Sequence, residues 1–152
     1  MKIRAYEETD QSFVVGLALR FMDFELMSWR DPKKMAEAQL RIAQESIQSP
    51  SPGTEIFVAE DEKGERLGFL EVGPHHDKLN DTEQGSIVAI AVSPQGEGQG
   101  VGTRLMAKAE EWAKEKGYGQ LILHVFHGNH RAVGLYKHLG YEIEVAKMVK
   151  EL

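Results

Sequence analysis

The sequence predicts one α/β (α+β) domain, with a mixed central sheet and helices on both of its faces. Residues 86–92 and 120–126 are nearly all apolar, which is typical of strands that are covered on both faces. The strand and helix patterns follow the order β-α-α-β-β-β-α-β-α-β, and the second half implies a right-handed crossover with at least one parallel strand pair. The chain has 152 residues, a length that suits a single domain over 1–152.

Periodicity marks the first strand and the first helix. Residues 3–6 alternate between apolar and polar side chains, as a half-buried strand does. Thr9 or Asp10 can cap a following helix. The apolar residues of that helix recur with a period near 3.6: Phe13, Val14, Leu17, Phe21 and Phe24.

A second helix and a hairpin come next. Asp31 is the expected N-cap of the helix, Pro32 is its first residue, and the proline-rich segment 49–53 ends it. Residues 55–60 and 66–73 predict two strands of a hairpin. Residues 74–84 are polar and predict a loop.

The remaining elements follow the strand at 86–92. Residues 101–116 place their apolar side chains on one side of a helix, which Gly117 can end. The apolar strand 120–126 is followed by a helix over 129–139, and residues 141–149 predict a final strand.

Composition limits the classes of function. The 18 basic and 24 acidic side chains give a net charge of −6, which is poorly suited to holding a phosphate backbone non-specifically, so no nucleic-acid partner is expected. No apolar run approaches the ~20 residues of a membrane span, and we expect no membrane partner. The first ten residues lack the apolar region of a secretory signal. The chain has 0 cysteines, which excludes disulfides, thiolate metal sites and a cysteine nucleophile, and fits a cytoplasmic protein.

Four glycines alternate along the turn between the strand 86–92 and the next helix: Gly96, Gly98, Gly100 and Gly102. The first amides of a helix lack intrahelical partners and the helix dipole is positive there, so such a turn can bind an anion. The spacing matches neither the P-loop G-x-x-x-x-G-K-S/T nor the dinucleotide G-x-G-x-x-G. The alternative is a flexible surface turn.

Two segments carry a family resemblance. The segment V-x-P-x-x-E-G-Q-G-V-G-T-x-L, from Val92 to Leu105, resembles the acyl-CoA-binding segment of the GNAT superfamily of N-acetyltransferases. The segment N-H-R-A-V-G-L-Y-K-H-L-G-Y, from Asn129 to Tyr141, is similar to a second motif of that family. The element order also resembles the GNAT acyl-CoA N-acyltransferase fold along nearly the whole chain.

The resemblance implies that acetyl-CoA is the acyl-donor cosubstrate. Its pantetheine arm would pair with the strand 86–92, and a backbone amide near Ile90 would face the thioester oxygen. The residues that the resemblance implies for donor binding are Ile90, Ala91, Val92, Glu97, Gly98, Gln99, Gly100, Val101, Gly102, Thr103, Asn129, Ala132 and Tyr136.

One position departs from the family pattern. The family has Gln or Arg where this chain has Glu97, and a carboxylate facing a diphosphate is repulsive. Because the cradle would be mostly backbone amide, we expect some loss of affinity rather than loss of binding. Gln99 or Arg104 could offset the repulsion.

The resemblance also implies catalytic groups. Tyr136 corresponds to the family's general acid, since a phenol of pKa ~10 can protonate a departing thiolate. Some family members use a glutamate at the position of Ser86, which cannot serve as a base. Glu71 and Glu83 are the remaining candidates, and Glu71 is preferred because a strand holds a side chain more firmly than a loop.

The expected acceptor is a small amine or a peptide N-terminus. Asp23, Glu25 and Asp31 could form an acidic rim around its pocket. His124, His127 and His130 would not share one face, so no metal site is expected. Only 12 residues follow Gly140, so a second subunit could supply a strand that many family members have, which would make a homodimer.

The leading hypothesis is an acetyl-CoA-dependent N-acetyltransferase in which a primary amine attacks directly within a ternary complex, since no cysteine can carry the acyl group. The alternative is a catalytically silent acyl-CoA-binding sensor, which Ser86 and Glu97 would suit. A general phosphate-binding or interaction domain is a third hypothesis.

Overall fold

The computed structural model describes residues 1–152 and contains one mixed five-stranded sheet with the strand order β1-β2-β3-β4-β5. Strands β1 to β4 pair antiparallel, and β4 pairs with β5 in parallel. The strands are β1 (Lys2–Ala5), β2 (Glu55–Glu60), β3 (Arg66–Asp77), β4 (Thr82–Val92) and β5 (Leu121–Leu123). The predicted fold class is confirmed.

Four α-helices accompany the sheet: α1 (Gln11–Gly16), α2 (Pro32–Gln48), α3 (Val101–Glu115) and α4 (His130–His138). The chain continues from α1 into a 3₁₀ segment, Leu17–Met22. Asp31 caps α2 as predicted, because its carboxylate accepts hydrogen bonds from the amides of Lys33 at 2.9 Å and Lys34 at 3.3 Å. None of the helices has the length and apolar character needed to cross a membrane.

The core lies on both faces of the sheet because neighbouring strand residues point in opposite directions. Ala59 and Leu70 pack with α3 on one face, together with the buried indole of Trp112. Val58 and Phe69, their sequence neighbours, pack with α1 and the 3₁₀ segment on the other face. The helices are therefore distributed over both faces, as the apolar central strands predict.

The loop predicted at 74–84 is a correction to the sequence analysis. Most of it continues the β3–β4 hairpin, in which His75 pairs with Gln84 and Asp77 pairs with Thr82. The residues of this extension are mostly exposed on both faces, so they show no alternation between apolar and polar side chains. Without a buried face, a strand leaves no period-2 pattern in the sequence.

The end of the sheet also differs from the prediction. β5 has three residues instead of the seven predicted, and residues 141–152 form no strand. The apolar side chains that predicted the last strand are exposed, among them Ile143 and Val145. A strand edge of three residues offers little length for a further strand to pair with. The homodimer, in which a second subunit would supply a strand, stays a prediction.

Candidate functional site

A cleft opens where the two parallel strands separate. β4 and β5 pair only from Gly85 with Leu121 to Ile87 with Leu123, whereas β4 continues to Val92. Beyond Ile87, the β5-facing edge of β4 has no strand beside it and borders a cleft of about 930 Å³. In a strand, alternate residues direct their amide and carbonyl groups toward the same edge. The cleft therefore offers unpaired backbone groups to an extended ligand.

A bulge in β4 lies at the mouth of this separation. Glu71 of β3 pairs with Ala89 and Val72 pairs with Ile87, so Val88 is an extra residue without a partner. Because of the bulge, both Ile87 and Ile90 pack on the α3 side of the sheet. Ala89 and Ala91 pack on the opposite side. Their small side chains leave room in the cleft along β4.

The glycine-rich turn forms the end of the cleft nearest α3. Gly98 and Gly100 both have φ of +74°, a backbone conformation in the left-handed region that favours glycine. Gly100 is the N-cap of α3 and supplies no side chain to the first turn. Five amides donate to no group of the protein, namely those of Gly98, Gly100, Val101, Gly102 and Thr103. Their free N–H groups and the helix dipole make a site suited to phosphate oxygens.

Glu97, the residue that departs from the family pattern, is paired rather than free. Its carboxylate accepts a hydrogen bond from the Arg20 guanidinium. Arg131 Nη1 lies 3.6 Å from the same Glu97 oxygen. The two compensating residues that the sequence suggested are placed elsewhere: Gln99 donates to the Gln95 carbonyl at 2.6 Å, and neither Gln99 nor Arg104 lines the cleft. The basic residues beside Glu97 are therefore Arg20 and the more exposed Arg131.

Glu71 is a buried carboxylate in the wall of the cleft. Only 7% of the residue is exposed, and it lies on β3 opposite Ala89. The Ser46 hydroxyl of α2 donates a hydrogen bond to it. Burial raises the pKa of Glu71 above its ordinary value, and the Ser46 hydrogen bond offsets part of that rise. A carboxylate with a raised pKa is a stronger proton acceptor than one in water.

Tyr136 enters the cleft from α4. Its ring packs edge-on against Tyr141, with 6.2 Å between the ring centroids. Burial raises the pKa of the Tyr136 phenol, so the hydroxyl keeps its proton at neutral pH. Asn129 holds the start of α4, because its side-chain oxygen accepts the Ala132 amide at 3.3 Å. The motif residues thus position the helix that carries the phenol.

The cleft brings most of the predicted site residues together. Besides Glu71 and Tyr136, the lining includes Ile90, Ala91, Val92, Glu97, Gly98, Gly100, Val101, Gly102, Thr103, Asn129 and Ala132.

Glu83 is the other predicted base, and the structure places it outside the cleft. It lies on the β3–β4 hairpin, where its carboxylate is 2.6 Å from His76 Nδ1. Of the three acidic residues predicted to surround the acceptor, Asp23 lines the cleft and Glu25 does not. Asp31 is engaged as the cap of α2.

The cleft residues that reasoning from the sequence missed include Arg20, Ser46 and Arg131. Arg131 follows Asn129 by two residues, so a basic side chain within the second motif was an available signal. Arg20 meets Glu97 across 77 positions of sequence. No local pattern marks such a contact.

Comparisons with known proteins agree with this geometry. Residues 18–141 match the family model described as the Acetyltransferase (GNAT) family. The chain is 33% identical over 149 residues to thialysine N-epsilon-acetyltransferase of Mus musculus, covering 91% of this chain and 82% of that protein. Aminoglycoside N(6')-acetyltransferase type 1 of Stenotrophomonas maltophilia is 35% identical over 88 residues, which is 52% of this chain and 58% of that protein. The solved structure of a putative acetyl transferase from Pyrococcus furiosus has a TM-score of 0.80 and 27% identity, and the alignment covers 99% of each chain.

Proposed function

This chain belongs to the GNAT family of acetyltransferases, and on that premise we propose that it transfers an acetyl group from acetyl-CoA to a small primary amine. The observation that carries the proposal is the set of five free amides at the start of α3, which lies at one end of the open β4 edge. The buried carboxylate of Glu71 lines the same cleft. A phosphate site, an extended groove and a base are the parts that this reaction needs.

The residues present fit coenzyme A as the carrier of the acetyl group. The amides of 98–103 and the positive end of α3 suit its diphosphate. The unpaired edge of β4 suits the amide groups of the pantetheine arm, which can pair with it as an added strand does. The side chains of Ala89 and Ala91 are small enough to admit that arm. Acetyl-CoA supplies the thioester carbonyl that the amine attacks.

Glu71 is the general base in this proposal. An alkylamine with a pKa of ~10.4 is mostly protonated at pH 7 and must lose a proton to attack. Glu71 takes that proton, directly or through one water, and its raised pKa makes it a better acceptor. The nitrogen–carbon bond then forms as the carbon–sulfur bond breaks. The backbone amides of β4 that face the cleft stabilise the negative charge on the carbonyl oxygen.

Tyr136 is the general acid. Its hydroxyl is protonated at neutral pH and donates to the departing sulfur, so coenzyme A leaves as the thiol. The nitrogen becomes positively charged when it bonds to the acyl carbon, and it loses its second proton to the Tyr136 phenolate through water, while Glu71 releases the first proton to solvent. With no cysteine in the chain to carry the acetyl group, we propose direct transfer in a ternary complex.

A small amine with an apolar stem suits the acceptor side. That part of the cleft is lined by α2, Phe21 and Phe24, with Asp23 at its rim. The printed names of the relatives, a thialysine acetyltransferase and an aminoglycoside acetyltransferase, are consistent with a small amine acceptor. We propose a diamino acid, such as thialysine or lysine, or a polyamine, in which a second ammonium group away from the reacting nitrogen can face Asp23.

The proposal is tested by incubating the protein with acetyl-CoA and a panel of amines, and by measuring free thiol release and acetylated product. The panel comprises thialysine, lysine, spermidine, an aminoglycoside and a peptide with a free N-terminus. We expect product with at least one small amine and a raised melting temperature with coenzyme A but not with ATP or NAD. Coenzyme A binding without turnover on any amine would favour the sensor, and no coenzyme A binding would remove the proposal.

A further inference from the structure

Three charged side chains meet at the entrance to the phosphate cradle. Arg20 extends from the 3₁₀ segment after α1, Glu97 precedes the cradle glycines, and Arg131 lies in the first turn of α4. The two guanidinium groups contact the same oxygen of Glu97. Three separate elements thus place two positive charges around one carboxylate.

The cleft shields Arg20 and Glu97 in part, whereas the Arg131 side chain is 77% exposed. Arg20, Glu97 and Arg131 all line the cleft beside Gly98 and Gly100. The Arg20 side chain is 27% exposed and that of Glu97 is 37% exposed, so water screens this pair only in part. Asp23 is a second carboxylate near Arg20, at 3.9 Å from Nη1, but its side chain is 70% exposed and it is a weaker partner.

From this geometry we infer that Arg20 and Arg131 are ligands for the phosphate groups of coenzyme A, and that Glu97 is an internal anion which the phosphates displace. The Glu97 carboxylate occupies the position between the guanidinium groups where a phosphoryl oxygen would bind. Phosphates bind guanidinium groups as carboxylates do, through charged hydrogen bonds. The inference rests on the proposed function, since it names further residues of the same donor site.

The two roles that Glu97 could have, as a displaced anion or as a residue that positions the arginines, predict opposite changes in the affinity for coenzyme A. If Glu97 only held the arginines in place, its removal would weaken binding of coenzyme A. If Glu97 competes with the phosphates, its removal frees both guanidinium groups and deletes a negative charge beside the cradle, so binding becomes tighter. The sign of the change in Kd therefore separates the two roles.

The experiment measures the Kd of coenzyme A by isothermal titration calorimetry for the wild type, E97Q, R20Q, R131Q and R104Q. R104Q is the matched control, because Arg104 is an exposed arginine in the first turn of α3 that does not line the cleft. We expect E97Q to bind about fivefold more tightly and R20Q about tenfold more weakly. R131Q, whose side chain is more exposed, should weaken binding about threefold, and R104Q should stay within about twofold of the wild type.

The double variant R20Q/E97Q completes the comparison. Because Arg20 is free to bind phosphate when the Glu97 carboxylate is absent, R20Q should weaken coenzyme A binding at least as much in the E97Q background as in the wild type. Weaker binding by E97Q, or R20Q equal to R104Q, would overturn the inference while leaving the proposed function intact. Failure of the wild type to bind coenzyme A would overturn the proposed function itself. Unchanged melting temperatures without ligand confirm that each variant is folded.

Discussion

Replacing Glu71 with glutamine removes the proposed base while keeping its shape and its hydrogen bond from Ser46. Three carboxylates line the cleft, those of Asp23, Glu71 and Glu97. Glu97 forms an ion pair with Arg20, and the Asp23 side chain lies largely in water. Neither can therefore replace Glu71, a buried carboxylate without a basic partner. A positioned general base contributes about 10²- to 10⁴-fold to a rate. We expect kcat of E71Q to fall by that factor, which is about 2.7–5.4 kcal/mol in activation free energy.

The effect of E71Q on stability has the opposite sign. The pKa of Glu71 is raised in the folded protein, so the folded state binds its proton more tightly than the unfolded state does. The ionised carboxylate therefore costs stability above that raised pKa, and the cost disappears as the pH falls below the unfolded value near 4.3. At pH 7 to 8 glutamine removes the buried charge, so the melting temperature of E71Q should equal or exceed that of the wild type.

The assay is the pH profile of kcat/KM for the wild type together with kcat and melting temperature for E71Q. In the wild type, activity should rise with pH through a limb that lies above the ordinary carboxylate range, because Glu71 acts in its ionised form. E83Q is the control, since Glu83 lies on the hairpin outside the cleft and its variant should keep the wild-type rate. An E71Q enzyme with more than a third of the wild-type kcat would refute the assignment, and so would a kcat that fell only together with the melting temperature.

Three further predictions follow from the same structure. Y136F should lower kcat at least about tenfold with little change in the Kd of coenzyme A, because it removes the proton donor and keeps the ring that packs on Tyr141. An unchanged kcat in steady-state assays would exclude the role of Tyr136 as the general acid. G100A should destabilise the protein by about 1–2 kcal/mol, because the φ of +74° at position 100 strains any residue with a Cβ. The control G119A lies at an open position without a positive φ and should be nearly neutral in urea denaturation. Equal effects of the two substitutions on the free energy of unfolding would contradict the strain argument. D10N should cost about 3–5 kcal/mol at pH 7, because the fully buried Asp10 carboxylate pairs with Arg4 and Arg66. These guanidinium groups hold the pKa of Asp10 well below its usual range, so the stabilisation that the Asp10 carboxylate provides is present above pH ~3.9 and is lost as the pH falls further. In urea titrations, the difference in free energy of unfolding between wild type and D10N should therefore be smaller at pH 3 than at pH 7. An equal difference at the two pH values would contradict this linkage.

Local patterns were sufficient for the parts of the fold that have a buried face or a special backbone. The helix α2 begins and ends where its cap and its breakers predict, at Pro32 and Gln48. The glycines at 98 and 100 have the positive φ that an anion-binding turn needs. In both cases one short segment carries the whole signal.

The parts that the sequence did not predict depend on other segments. The paired extension beyond Gly73 has no buried face, and the length of β5 is set by where it leaves β4. The hydrogen bond to Glu71 comes from Ser46 of α2, which is 25 positions away in sequence. The pairing of Glu97 depends on Arg20 and Arg131, which lie outside the glycine-rich turn, whereas Gln99 donates to the Gln95 carbonyl near that turn.

The cleft is placed where the fold leaves backbone groups without partners, and this explains why one half of it was easier to predict than the other. An unpaired amide is costly in a dry interior but is tolerated where water or a ligand can reach it. At the start of α3 the positive φ of Gly98 and Gly100 favours glycine, so the glycine-rich turn that carries the free amides is visible in the sequence. Along β4 the bare groups result from the separation of β5 after Leu123, and any small side chain is compatible with them. The unpaired edge of β4 is therefore hard to recognise from the sequence, although it lines the same cleft as the glycine-rich turn.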